Sequence, residues 1–131
     1  MNVFVVEDFE LMRERMEVML SEIPGITLVG HAVDELGAIE HIDALLPDVV
    51  ILDLNLQTGS GFEVLKYIKQ HHAATKIMVL TNYADDFYIK RCMDAGADYF
   101  FDKSFQFMWV GKALRQLANP DGPNGQFGAS Q

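Results

Sequence analysis

Short runs of consecutive apolar residues alternate along this chain with longer stretches in which apolar residues recur every three or four positions. The short runs are Val3–Val6 (VFVV), Ile26–Val33 (ITLVGHAV), Asp48–Leu54 (DVVILDL), Lys76–Asn82 (KIMVLTN) and Asp98–Asp102 (DYFFD). Unbroken Val, Ile and Leu runs suit strands covered on both faces, as in a parallel sheet flanked by helices. The second run is less uniformly apolar and is expected nearer an edge. Helical spacing marks the stretches between. Leu11, Met12, Met16, Met19, Leu20 and Ile23 predict a helix from about Phe9 to Glu22. Ile39, Ile42, Leu45 and Leu46 share a face of Leu36–Leu46, and Phe62, Val64, Leu65, Tyr67 and Ile68 follow the break at Gly59 and Gly61. Two more helices are expected over Asp85–Ala95 and Phe107–Leu117. Pro24-Gly25 and Pro47 punctuate the pattern, and Gly96 is placed to cap a helix C-terminus. Five strand–helix alternations predict an α/β fold with a five-stranded parallel sheet, for which the order 2-1-3-4-5 is common, and helices on both faces.

Length and charge narrow this picture. A chain of 131 residues, half of them apolar, suits one domain with a substantial core. No apolar run approaches the roughly 20 residues of a membrane span. The start, MNVFVVEDFE, lacks a basic n-region and a cleavage site, so a cytoplasmic location is expected. One cysteine, Cys92, excludes an internal disulfide framework and a multi-cysteine zinc site, and reads as a small buried hydrophobe. Net charge is −9, and no three consecutive residues are basic. Nucleic-acid binders neutralise phosphates with basic stripes, so direct DNA or RNA binding is not expected. The segment from Asn119 to the end holds proline and glycine and little that could pack. It reads as a flexible tail, or as the start of a linker, after a domain spanning 1–118.

The chemistry gathers where the predicted strands end. Glu7 and Asp8 close the first, Asp53 interrupts the third, Thr81 closes the fourth, and Lys103 follows the fifth. An uncompensated carboxylate in an apolar strand is costly, so Asp53 needs a partner. If strands one and three are neighbours, three carboxylates converge on one edge. They must then take up protons or hold a cation. One lysine and one divalent metal neutralise three carboxylates, and all-oxygen ligation suits Mg²⁺, which also binds phosphate. A carboxylate compensated in this way is a nucleophile towards phosphorus.

The motifs VVED (Val5–Asp8), ILDLN (Ile51–Asn55), LTN (Leu80–Asn82) and AGADYFFDKS (Ala95–Ser104), in this order on the βα units, resemble the receiver domain of bacterial two-component response regulators. The resemblance covers residues 1 to about 118 and implies a flavodoxin-like receiver fold. It implies Asp53 as phosphoacceptor from a histidine kinase or a histidine phosphotransfer protein. Asp8 matches a direct Mg²⁺ ligand, Glu7 a neighbour acting through bound water, and the Asn55 backbone carbonyl a third metal contact. Thr81 matches the hydroxyl that hydrogen-bonds the phosphoryl group, and Lys103 the ammonium paired with Asp53. Thr81 and Phe100 match the switch pair. Thr81 drawn towards the phosphoryl group leaves space for Phe100 to turn inward, changing the helix 4–strand 5–helix 5 face seen by a downstream protein target.

Four positions depart from the family's common residues. Ser104 replaces the proline after the lysine, which favours a trans bond there. Gln57 replaces the proline that commonly follows the acceptor. Phe100 lacks the hydroxyl of the frequent tyrosine, and Asn82 is larger than is common beside Thr81. The leading expectation is a stand-alone receiver, a monomer or a phosphorylation-dependent dimer, that catalyses only its own phosphorylation and dephosphorylation. The alternatives are an aspartate-nucleophile phosphatase, a phosphate relay intermediate, or a fragment of a larger regulator. The phosphatases usually carry an aspartate two positions after the nucleophile, and here that residue is Asn55. An N-capping role for Asp8 and core packing for Met12, Met16 and Met19 are the plainer readings of those residues.

Overall fold

Every apolar run forms a strand and every periodic stretch a helix in the computed structural model, which describes residues 1–82 and 84–120. The order is β1 (Asn2–Val6), α1 (Glu10–Ser21), β2 (Thr27–Ala32), α2 (Glu35–Leu45), β3 (Val49–Leu52), α3 (Gly61–His71), β4 (Lys76–Thr81), α4 (Asp86–Asp94), β5 (Tyr99–Asp102) and α5 (Phe107–Ala118). All four strand pairings are parallel, and the sheet order is β2-β1-β3-β4-β5, as expected. The less apolar β2 lies at an edge, with Thr27 and His31 exposed. The expected flexible tail falls, from residue 121 onward, outside the described residues.

Alternation along the three central strands divides the core in two. Val3, Val5, Val49, Ile51, Met78 and Leu80 face α1 and α5, where they pack with Met12, Met16, Leu20, Val110 and Leu114. Phe4, Val6, Val50, Leu52, Ile77 and Val79 face the other way, towards Ile42, Leu65, Ile68 and Cys92. The register keeps the two sets in phase, with Val6 beside Leu52 and Leu52 beside Val79. Burying each such side chain contributes about 1.5–3 kcal/mol. Cys92 is buried as expected, and burial pushes its thiol above its ordinary value.

Local signals fix the helix ends. Asp34 caps α2 by accepting from Gly37 N–H at 2.7 Å, and Asp85 caps α4 by accepting from Tyr88 N–H at 2.9 Å. Gly96 follows the α4 C-cap with φ +108°, a conformation that side chains rarely adopt. Some expected core positions lie outside. Leu11 on α1 is exposed, as are Leu45 and Leu46 at the end of α2, where Leu46 adopts a left-handed φ of 48°.

β3 stops at Leu52, so Asp53 and Leu54 belong to the loop that follows. Gly61 closes this loop by donating its N–H to the Leu54 carbonyl at 3.1 Å. A Cβ at position 61 would overlap the Asp53 carbonyl oxygen and approach Leu54 Cα to 2.6 Å. These are backbone atoms with little room to yield. Gly61→Ala is therefore expected to cost about 2 kcal/mol. Urea unfolding of the variant should show a lower midpoint at an unchanged slope; a wild-type midpoint would contradict the close approach.

Candidate functional site

The sheet's own hydrogen bonds carry the site residues just beyond the strand ends. Glu7 N–H donates to Ala32 O at 3.0 Å, Asp53 N–H to Val6 O at 3.0 Å, and Lys103 N–H to Thr81 O at 2.9 Å. Each backbone is thus held by the neighbouring strand. Glu7, Asp53, Thr81 and Lys103 are all buried, and Asp8 is half-buried.

Lys103 joins two of the carboxylates. Its Nζ donates to Asp53 Oδ2 at 3.0 Å and lies 2.6 Å from Glu7 Oε1. The Glu7 contact is an ion pair without hydrogen-bond alignment, since Oε1 meets no donor in suitable geometry. The other Glu7 oxygen accepts from Phe9 N–H at 3.1 Å, and Arg13 donates to the Glu7 carbonyl at 2.9 Å. Burial pushes the Glu7 carboxyl above its ordinary value. Lys103 draws it down, and the charge of Asp53 pushes it up further. Burial acts to lower the Lys103 ammonium, but Glu7 and Asp53 outweigh it and hold that value up.

One carboxylate oxygen from each of Glu7, Asp8 and Asp53 lies within 4.8 Å of the other two. With all three ionised, Lys103 leaves two negative charges uncompensated at this edge. Hard oxygen donors in such a group fit a divalent cation. Asp8 does not cap α1; Phe9 holds that position and makes no side-chain capping bond. The Asp8 side chain instead accepts from Gln57 N–H at 2.7 Å, across 49 residues of chain. Asn55 N–H donates to Asp53 Oδ1 at 3.1 Å. The expected residues Glu7, Asp8, Asp53, Asn55 and Lys103 therefore meet at one edge, with Thr81 beside them at the end of β4.

The two departures near the last strand also meet. Ser104 Oγ donates to Asn82 Oδ1 at 3.1 Å, linking the loops after β4 and β5. No cis peptide bond occurs among the described residues, and Ser104 N–H donates to Asp102 Oδ1 at 2.8 Å. Phe100 is half-buried and lines a cleft of about 400 Å³ with Ala84, Ile89 and Phe105. Motif reading did not foresee the Gln57, Arg13 and Asn82–Ser104 contacts. The first two use main-chain groups that residue identity does not reveal.

Comparison with known proteins gives one consistent result. The family model described as the response regulator receiver domain matches residues 3–115. The response regulator protein VraR of Staphylococcus saprophyticus is 29% identical over 118 residues, covering 90% of this chain and 56% of that protein. The DNA-binding transcriptional activator DevR/DosR of Mycobacterium tuberculosis is 28% identical over 116 residues, covering 88% of this chain and 54% of that protein. The chain thus spans about half the length of these curated relatives. Among solved structures, the response regulator domain of Thermotoga maritima CheB superposes with a TM-score of 0.78 at 28% identity, covering 93% of this chain and 98% of that one.

The raised Glu7 value sets a pH dependence. Glu7 holds its proton more tightly in the folded chain than in the unfolded one, whose value is near the ordinary 4.5. Its contribution to stability is complete below that value and is lost as pH rises through the higher folded value. Glu7→Gln removes this titration. In chelator, the stability of the wild type minus that of Glu7→Gln, from urea unfolding, should fall as pH rises above about 4.5. A difference that is flat or rises would contradict the burial of this carboxyl.

Proposed function

The chain belongs to the response regulator receiver domain family, and we propose that Asp53 is its phosphoacceptor in a Mg²⁺-dependent transfer from a histidine kinase or histidine phosphotransfer protein. The observation that carries this reading is the Lys103 ammonium, 3.0 Å from Asp53 Oδ2 beside a three-carboxylate group. The ammonium pins the Asp53 carboxylate and offsets part of its charge, as a carboxylate nucleophile requires.

In this proposal Glu7, Asp8, Asp53 and the Asn55 carbonyl would hold the cation, Glu7 through water. Mg²⁺ bound there would supply positive charge to the phosphoryl oxygens. An Asp53 carboxylate oxygen forms the new O–P bond as the phosphorus bond to the donor's histidine nitrogen breaks. The transition state is loose and spreads charge over the equatorial oxygens, so the protein contributes mainly position and electrostatic stabilisation. Lys103 moves little, exchanging the carboxylate for the phosphoryl group as its acceptor. The Thr81 hydroxyl donates to a phosphoryl oxygen, and Phe100 turns in behind it towards the core that it already touches.

The output follows from the surface that these residues border. Phe87 on α4, with Phe105, Met108 and Trp109 around the start of α5, are exposed. Exposed apolar patches mark contact sites for proteins, so a downstream protein reading α4, β5 and α5 is the proposed target. The net charge of −9 favours protein over nucleic acid as the direct contact of these residues. Action as a stand-alone receiver is likewise part of the proposal; the chain spans about half the length of the curated relatives, one of which is named as DNA-binding. No described helix is long and apolar enough to cross a membrane, and a cytoplasmic site of action is part of the proposal. The chain is proposed to turn over no external substrate; Asn55, where a phosphatase would place its general acid, supports this.

Incubation with acetyl phosphate and Mg²⁺ should raise the intact mass by one phosphoryl group, and chelator or Asp53→Asn should abolish the increment. Thr81→Ala should retain the site but react about 100-fold more slowly, the typical loss of one transition-state donor. An increment that persists in Asp53→Asn would place the acceptor elsewhere.

A further inference from the structure

Between β3 and α3 the chain is held largely by its own N–H groups on carboxylates. Asn55 N–H donates to Asp53 Oδ1 at 3.1 Å, Gln57 N–H to Asp8 Oδ2 at 2.7 Å, and Ser60 N–H to Glu35 Oε1 at 2.8 Å. The second of these reaches a different loop. Asp8 lies between β1 and α1, outside both elements, and caps no helix. Among the described residues, the bond from Gln57 is the one hydrogen bond made by the Asp8 side chain. It is short, as charge-assisted bonds are. A proline at position 57 would have no N–H to give.

We propose that the backbone N–H of Gln57 is a positioning group for the cation site, fixing the Asp8 carboxylate beside Glu7 and Asp53 before the cation arrives. The inference rests on the Mg²⁺ reading above. A carboxylate offers about four acceptor directions, so one bond to Oδ2 orients Asp8 and leaves the rest for a metal. An ordered side chain loses less rotamer freedom on binding, which strengthens binding without a new contact. The Gln57 side chain is not needed: the residue is exposed, and its main chain makes the bond.

Two measurements test this. In chelator, the Gln57 amide should exchange slowly with solvent, and Asp8→Ala should remove that protection. Calorimetric titration with Mg²⁺ should give the same Kd for wild type and Gln57→Ala. Gln57→Pro should bind about tenfold more weakly, the usual lower bound for losing a group that orients a metal ligand. An unprotected Gln57 amide in the wild type, an unchanged Kd in Gln57→Pro, or equal weakening in Gln57→Ala would each overturn the proposal. If Gln57→Pro fails to fold, the exchange measurement alone decides. A wild type that binds no Mg²⁺ would overturn the Mg²⁺ reading and this inference together, whereas the other outcomes leave that reading standing.

Discussion

The Lys103 ammonium, lying between the buried carboxylates of Glu7 and Asp53, is the interaction on which the rest of the site depends. It neutralises part of a cluster that the fold otherwise forces together. Burial raises Glu7 and would lower Lys103, yet each offsets some of the other's penalty. The compensation is incomplete, because Asp8 adds a further negative charge at the same edge. That surplus fits a divalent cation, which in the proposed transfer would offset the charge of the phosphoryl group.

The sheet supplies the precision. Glu7, Asp53 and Lys103 are all held by a hydrogen bond to the neighbouring strand one residue past the regular ladder. Their side chains therefore inherit the register of a fully buried core rather than the freedom of a loop. Gly61 serves the same end by letting α3 start against the Asp53 main chain. The loops above add cross-links of their own, Gln57 to Asp8 and Ser104 to Asn82. Both cross-links form at the positions where Gln57 and Ser104 replace the family's common prolines.

Much of this was legible in the sequence, for identifiable reasons. Runs such as Val49–Leu52 announce strands buried on both faces, and Asp53 at their end announces a compensated charge. The sheet order then brings Glu7, Asp8 and Asp53 together. Less legible were positions where periodicity outruns the core. Leu11, Leu45 and Leu46 keep helical spacing, but spacing does not say where the sheet beneath a helix stops. The expected strand over Asp48–Leu54 was too long because apolar Leu54 resumes the pattern beyond Asp53, whereas pairing ends at Leu52. The Asp8 partner was beyond reach altogether, since a main-chain N–H is the same in every residue except proline.

One divalent cation is proposed to complete the charge balance around Asp53 while Lys103 stays in place. The most direct test is a crystal structure of the protein soaked in Mn²⁺, with the ion located by its anomalous scattering. A single peak is expected about 2 Å from oxygens of Asp8 and Asp53, with Lys103 Nζ still on Asp53. A peak away from these carboxylates, or a lysine swung out of the site with the ion bound, would contradict it.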